Sequence, residues 1–239
     1  MSTSNPSLAL WETLYKEQKD SWTNEVVDDK LLNFHDILTN GRSGLDILVP
    51  MCGRSQILLR LAEKGHQRII GIEWSEVAVK KFFKENDLPC SIQSYNLGRE
   101  QIPVYTAKDK TITIYCGDLF SFKDDNLGGF DCIVDHGSIG SFDFTKVTRD
   151  TYASLMNFFT KPNGRILLST FDYEHCEHPT IPFAVTEKEV RKLYREHFQP
   201  PQLLLELNAD DFYSVFPGKL FPVHTLSHFS WKLFLLCRH

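Results

Sequence analysis

Apolar residues in this chain gather into short runs separated by polar, helix-compatible stretches. Leu45 to Pro50, Arg68 to Glu73, Thr111 to Cys116, Phe130 to Asp135 and Arg165 to Phe171 are such runs, and near-continuous apolar character is the pattern of strands buried on both faces. Gln202 to Leu207 and Trp231 to Cys237 read as two more. Between the runs lie predicted helices. Ser55 to Lys64 is closed by Gly65, Ser75 caps a helix running to about Asn86, and another covers about Arg149 to Phe159. Thr186-Glu-Lys-Glu189 is a capping box opening a helix to about His197. Lys-Pro-Asn-Gly at 161–164 predicts a turn. Ahead of all this, Leu8 to Trp22 is amphipathic and aromatic, and Asp28 to Thr39 reads as a second helix. The residues between about Asn86 and Thr111 read only as a polar stretch.

Strands alternating with helices imply right-handed crossovers and a mostly parallel sheet covered on both faces. Ligands of such sheets bind beyond the carboxyl ends of the strands. That directs attention to Pro50–Arg54, Glu73, Gly117–Leu119 and Asp135–Ser138.

The 239 residues suit a single α/β domain, and 42% hydrophobic with 24% charged residues is ordinary for a globular protein. Twenty-six basic against thirty-one acidic residues give a net charge of −5, which argues against a nucleic-acid binder. No apolar run approaches the roughly 18 residues of a membrane span, and the first residues lack the pattern of a signal peptide. Six cysteines are scattered without a Cys-x-x-Cys pair, so reduced thiols and a cytoplasmic location are expected. His175, Cys176 and His178 have no fourth ligand spaced nearby, so a loop is preferred to a metal site.

Two features at the strand ends point to a nucleoside cofactor. Val-Pro-Met-Cys-Gly-Arg at 49–54 follows the first strand, and Glu73 closes the second, 20 residues after Gly53. An acid in that place hydrogen-bonds ribose hydroxyls. A dinucleotide needs several glycines so that backbone N–H groups reach its pyrophosphate. Here Gly53 is preceded by Pro, Met and Cys. S-adenosylmethionine carries no phosphate, and one close-approach glycine suffices, so it is favoured over NAD.

Pro-Met-Cys-Gly-Arg at 50–54, Leu-Ala-Glu-Lys-Gly-His at 61–66, Gly-Ile-Glu-Trp-Ser-Glu at 71–76 and Phe-Phe at 82–83 together resemble the thiopurine S-methyltransferase family. Ser-Gly-Leu at 43–45, Ile-Tyr-Cys at 114–116, Asn-x-Gly-x-Phe-Asp at 126–131 with one extra glycine, and His-Pro followed by Pro-Phe at 178–183 extend the likeness over nearly the whole chain. The resemblance implies a Rossmann-like class I methyltransferase: a seven-stranded, mostly parallel sheet with an antiparallel last strand and helices on both faces. It implies S-adenosylmethionine as cofactor, S-adenosylhomocysteine as product and a small aromatic or heterocyclic thiol, or a selenium or tellurium species, as substrate. A monomer without nucleic-acid or membrane partners is expected.

Position by position, the resemblance places Trp11 and Tyr15 on a helical segment within residues 1–40 that closes over the cofactor, Tyr15 standing where the family has a second tryptophan. Trp22 falls between cofactor and substrate. Met51, Cys52 and Gly53 form the first-strand loop, Glu73 is the ribose acid, and Asp118 and Leu119 flank the adenine. The family's Asp-Arg-Gly after the fourth strand reads Asp135-His136-Gly137 here, so Asp135 and His136 are expected at the cofactor and the arginine of the active site is a histidine. A second, late arginine has no clear counterpart; Lys219 is merely nearby. Trp22, His136 and Pro182 are the expected substrate contacts, and His136 is the candidate catalytic residue.

Methyl transfer from a sulfonium is an in-line displacement in which the protein mainly supplies placement. A thiol titrates near ~8.5 and its thiolate is a strong nucleophile, so no triad or carboxylate pair is required. With an ordinary pKa of ~6.5, His136 can orient the thiolate, take its proton or contact the cofactor carboxylate. Two alternatives stand beside thiol methylation. One is a methyltransferase of the same fold acting on an amine, a hydroxyl or a halide, and the other is a non-enzymatic binding protein that keeps the fold.

Overall fold

The computed structural model describes residues 6–20, 25–108, 111–124, 127–143, 146–215 and 223–239. The elements are α1 (Pro6–Lys16), α2 (Glu25–Leu32), α3 (His35–Thr39), β1 (Asp46–Pro50), α4 (Ile57–Glu63), β2 (Arg68–Glu73), α5 (Glu76–Glu85), β3 (Cys90–Leu97), β4 (Glu100–Ala107), β5 (Ile112–Cys116), β6 (Phe130–His136), α6 (Lys146–Phe159), β7 (Thr160–Asp172), α7 (Glu187–Tyr194), β8 (Gln202–Asn208), α8 (Ala209–Val215) and β9 (Ser230–Cys237). The strands form one sheet in the order β3-β4-β5-β2-β1-β6-β7-β9-β8. β5, β2, β1, β6 and β7 are parallel neighbours, while β9 runs antiparallel to both β7 and β8.

The sheet therefore has nine strands, not the expected seven. The two additional ones are the β3–β4 hairpin, which pairs antiparallel onto β5 at the sheet edge. Most of β3 is exposed or half-buried, so its sequence carries no apolar alternation and reads as polar. Without the hairpin, the order is that of the expected sheet with its antiparallel last strand. Two other expectations are corrected. The helix foreseen over Asp28 to Thr39 is broken at Asn33–Phe34 into α2 and α3. The turn at 161–164 lies inside β7, where the pairing with β6 shifts register beside Phe130.

Alternation along the strands builds two cores. Ile47 and Val49 of β1, and Cys132 and Val134 of β6, join the layer formed by α2–α5 and α8. Leu48 and Ile133 join the layer formed by α6 and α7. The same alternation sends the next residues of β6 to opposite faces: Asp135 to the α6 side and His136 to the α2–α4 side.

One buried cation holds the α6 side together. Arg149 of α6 is 1% exposed. It donates to the carbonyls of Phe142 and Ala184 and to Glu189 of α7 at 2.6 Å. The 182–184 segment is thereby tied to the turn that follows β6, where Phe183 N also donates to Gly140 O at 2.7 Å. Arg149→Met retains most of the volume but strands the buried Ala184 carbonyl, the half-buried Phe142 carbonyl and the Glu189 carboxylate. Removing one partner of such a buried pair costs about 3–5 kcal/mol, which urea denaturation measures. A loss below about 1 kcal/mol would show that other donors reach these acceptors.

Candidate active site

The carboxyl ends of β5, β2, β1 and β6 lie side by side, and the singled-out residues of the first-strand loop, Glu73, Asp118 and His136 sit there. The first-strand loop is sharply bent, with Met51 at φ +47° and Gly53 at φ +55°. Cys52 N donates to Ile72 O at 3.1 Å, which folds the loop over β2. A Cβ at Gly71 would lie 2.7 Å from Cys52 Sγ, so glycine at 71 makes room for the loop. Burial and the nearby Glu73 push the Cys52 thiol well above its ordinary pKa, which makes it packing rather than a nucleophile.

Glu73 is 7% exposed. Its Oε2 accepts from Gly53 N at 2.8 Å and its Oε1 from Ser75 N at 2.7 Å. Burial raises its pKa, and the backbone donors oppose that shift. Ser75 in turn caps α5 by accepting from Ala78 N. A carboxylate has about four acceptor positions. Glu73 thus fixes the loop and keeps acceptor capacity for a diol. That residue, beside a loop in which only glycine fits at 53, suits the ribose and methionyl portions of S-adenosylmethionine.

Tyr15 of α1 closes this loop from above. A Cβ at Gly53 would lie 2.6 Å from the Tyr15 hydroxyl oxygen. The helix end is held from outside: Lys81 Nζ donates to Tyr15 O, and Arg54 pairs with the fully buried Asp20 and, at 2.8 Å, with Glu85. Trp11 is half-buried one turn earlier. Trp22 and Lys219 lie outside the described residues. A cavity of about 40 Å³ remains, lined among others by Tyr15, Pro50, Met51, Gly53, Ser55 and His136.

The remaining expected residues divide. Asp118 is half-buried at the end of β5, where its Oδ1 accepts from Phe120 N at 3.1 Å; Leu119 behind it is buried in the core. Burial raises the Asp118 pKa. Asp135, expected at the cofactor, is fully buried on the far face of the sheet. Tyr152 Oη donates to one of its oxygens at 2.7 Å and Ser138 N to the other at 2.8 Å. Ser138 Oγ then donates to Pro50 O at 3.0 Å, so Asp135 braces the site from below rather than facing the cavity. Pro182 stands against Gly140, just past His136, and does not line the cavity.

His136 lines the cavity, and its Nδ1 is 3.9 Å from Oδ1 of Asp28. Asp28 is a site residue that the sequence did not disclose. It is 1% exposed, accepts from Ser55 Oγ and Gln56 N at 2.8 Å each, and so pins α2 to the start of α4. Its partners are remote in sequence, and no local motif marks it. Trp74, directly after Glu73, leaves its large apolar side chain exposed at the same strand end.

Burial lowers the His136 pKa to about 4 and raises that of Asp28 to about 6. The two have opposite consequences for stability. The unfolded state binds more protons at His136 between about pH 4 and 6.5, so that contribution rises with pH; Asp28 is the reverse between about pH 4 and 6. Each amounts to about 3 kcal/mol, and in the native protein they largely cancel. His136→Gln leaves only the Asp28 contribution, so unfolding free energy relative to wild type should fall as pH rises from 4 to 6; a parallel pair of curves by urea titration would refute the assignment. Gly53→Ala introduces both a left-handed alanine and a clash with Tyr15. The left-handed conformation alone costs about 1–2 kcal/mol, and a crystal structure of the variant should show the tyrosine displaced.

Residues 7–225 match the profile of the family Thiopurine S-methyltransferase (TPMT). The chain is 30% identical over 191 residues to thiopurine S-methyltransferase of Bos taurus, covering 79% of this chain and 75% of that one. Among solved structures it is similar to the 1,6-didemethyltoxoflavin-N1-methyltransferase of Burkholderia thailandensis, solved with S-adenosylhomocysteine, at 15% identity and TM-score 0.63, over 100% of this chain and 91% of that one. The N-methyltransferase NodS of Bradyrhizobium japonicum, also with S-adenosylhomocysteine, matches at 11% identity and TM-score 0.58, over 90% and 88%. The fold is that of the class I methyltransferases, and the chain belongs to the thiopurine S-methyltransferase family.

Proposed function

We propose that this protein transfers the methyl group of S-adenosylmethionine to the sulfur of a small-molecule thiol. Membership of the family makes it an S-adenosylmethionine-dependent methyltransferase of small molecules. The cofactor supplies an already activated methyl group. The observation that carries the reading is the Glu73 carboxylate held between Gly53 N and Ser75 N at the switch point of the sheet. In this reading Glu73 grips the ribose, Met51, Cys52 and Gly53 run beside the methionyl chain, and Asp118 and Leu119 border the adenine. His136 meets the thiol, with Trp22 as a further contact; Pro182, which stands against Gly140 outside the cavity, reaches the substrate only once the site has opened. No site cation is required of the protein, because the donor carries its own.

Residues 1–40 act in this reading as a lid. A cavity of about 40 Å³ holds a water or two, not a nucleoside. Tyr15 and its helix therefore move when the cofactor enters, and the Lys81 and Arg54 contacts return them. Lids of this kind come from the less stable part of a structure.

Turnover with S-adenosylmethionine across a panel of thiols, amines and halides, read as S-adenosylhomocysteine released, tests the reaction; activity confined to amines or halides would overturn the thiol. Glu73→Gln removes one charged acceptor and should weaken S-adenosylhomocysteine binding by about 1–3 kcal/mol in calorimetry, the fold being retained. Hydrogen exchange in residues 8–20 should slow on adding S-adenosylhomocysteine, and equal, strong protection in both states would make the segment plain core.

A further inference from the structure

We propose that Asp28 is the positioning residue for His136, and that the pair suits the site to neutral, weakly acidic thiols rather than anionic ones. This rests on the thiol-methylating reading above.

The geometry carries it. Asp28 cannot drift, because Gln56 N and Ser55 Oγ fix its two oxygens, and the oxygen bonded to Ser55 is the one 3.9 Å from His136 Nδ1. In the proposed arrangement the imidazole turns to close that gap, so that Nδ1–H donates to the Asp28 carboxylate. The other ring nitrogen, Nε2, then faces the cavity as an acceptor. A buried carboxylate that holds an imidazole in one tautomer is an established way of preparing a base.

Charge around the cavity points the same way. Among the described residues, no lysine or arginine lines it. Arg54, adjacent in the chain, is committed to Asp20 and Glu85. The titratable groups that line the cavity with His136 are Tyr15 from α1 and Cys52 from the first-strand loop, Asp28 of α2 faces its Nδ1, and Glu73 lies behind Gly53. None is a cation at neutral pH. An anionic thiolate finds no counter-charge here from these residues, whereas a neutral thiol pays no such electrostatic penalty. At pH 7 His136 is unprotonated and Asp28, with a pKa of about 6, is ionised, so the imidazolium formed on accepting a proton has a carboxylate beside it.

The step balances. The thiol proton passes to His136 Nε2 while the sulfur lone pair forms the new bond to the methyl carbon. The bond from that carbon to the donor sulfonium breaks, and its electron pair stays on the donor sulfur, which leaves as a neutral thioether. The positive charge of the donor reappears on His136 beside Asp28 and is released to solvent as a proton.

Asp28→Asn is the discriminating variant. Gln56 N can only donate, so the amide oxygen must stay with it, and the amide nitrogen takes the place of the oxygen nearest His136. An N–H there donates to Nδ1 and drives the ring proton onto Nε2, the wrong tautomer for accepting one. At pH 7, kcat on a weakly acidic alkyl thiol should drop at least tenfold more than kcat on a heterocyclic thiol already ionised at that pH. The ¹⁵N shifts of His136, recorded without substrate, should show the proton moved from Nδ1 to Nε2. Equal losses on both thiols, or identical ¹⁵N spectra, overturn the proposal. Should Asp28→Asn fail to fold, His136→Gln gives the same comparison: selective loss on the weakly acidic thiol is expected, and equal loss overturns it. A wild type that binds S-adenosylhomocysteine yet methylates neither thiol overturns the thiol reading and with it the substrate preference, while the ¹⁵N comparison still judges Asp28 as the positioning residue.

Discussion

The site depends on one buried carboxylate. Glu73 ends β2, and its two oxygens take the N–H groups of Gly53 and Ser75. The first belongs to the loop leaving β1 and the second to the cap of α5, so one side chain fixes two strand ends and a helix start. A buried acid is costly unless hydrogen-bonded, and the burial that raises its pKa is offset by those donors. The consequence is a loop whose positive-φ residues, Met51 and Gly53, are held in place before any ligand arrives. Such preorganisation lowers the ordering cost of binding.

On the other side of β1, a second acid does comparable structural work. Asp135 accepts from Tyr152 and Ser138, and Ser138 returns a bond to Pro50. Adjacent residues on one strand thus take different parts: Asp135 braces the floor and His136 lines the cavity. A single alternation of the pleat separates the buried support from the cavity wall.

How far the sequence disclosed this follows the range of each interaction. Glu73 and Gly53 were legible because a strand end, a turn and their spacing are local signals. Ser75 and Thr186 were legible as caps for the same reason, and both side chains accept the expected backbone N–H. The β3–β4 hairpin was not, because most of β3 lies open to water and needs no apolar face. Asp28 was not, because its partners Ser55, Gln56 and His136 lie 27, 28 and more than a hundred residues away, and nothing in Val-Asp-Asp-Lys announces them. Asp135 was placed at the cofactor by resemblance; only the direction of its side chain separates the two roles. Tyr15 was foreseen through resemblance alone, since an aromatic on an amphipathic helix is otherwise unremarkable packing.

The contact between Gly53 and Tyr15 also bears on how such a chain can change over generations. With 2.6 Å between the tyrosine oxygen and the place a Cβ would occupy, no side chain enters at 53 while a tyrosine in this pose remains at 15. A smaller residue at 15 would lift the steric bar but not the left-handed backbone, and it would uncover the loop. Substitution at 53 is therefore conditional on position 15, whereas change at 15 is not conditional on 53. The two are 38 positions apart in the chain, yet a side chain can enter at 53 only after the residue at 15 has changed, so the order of the two substitutions is fixed by this contact.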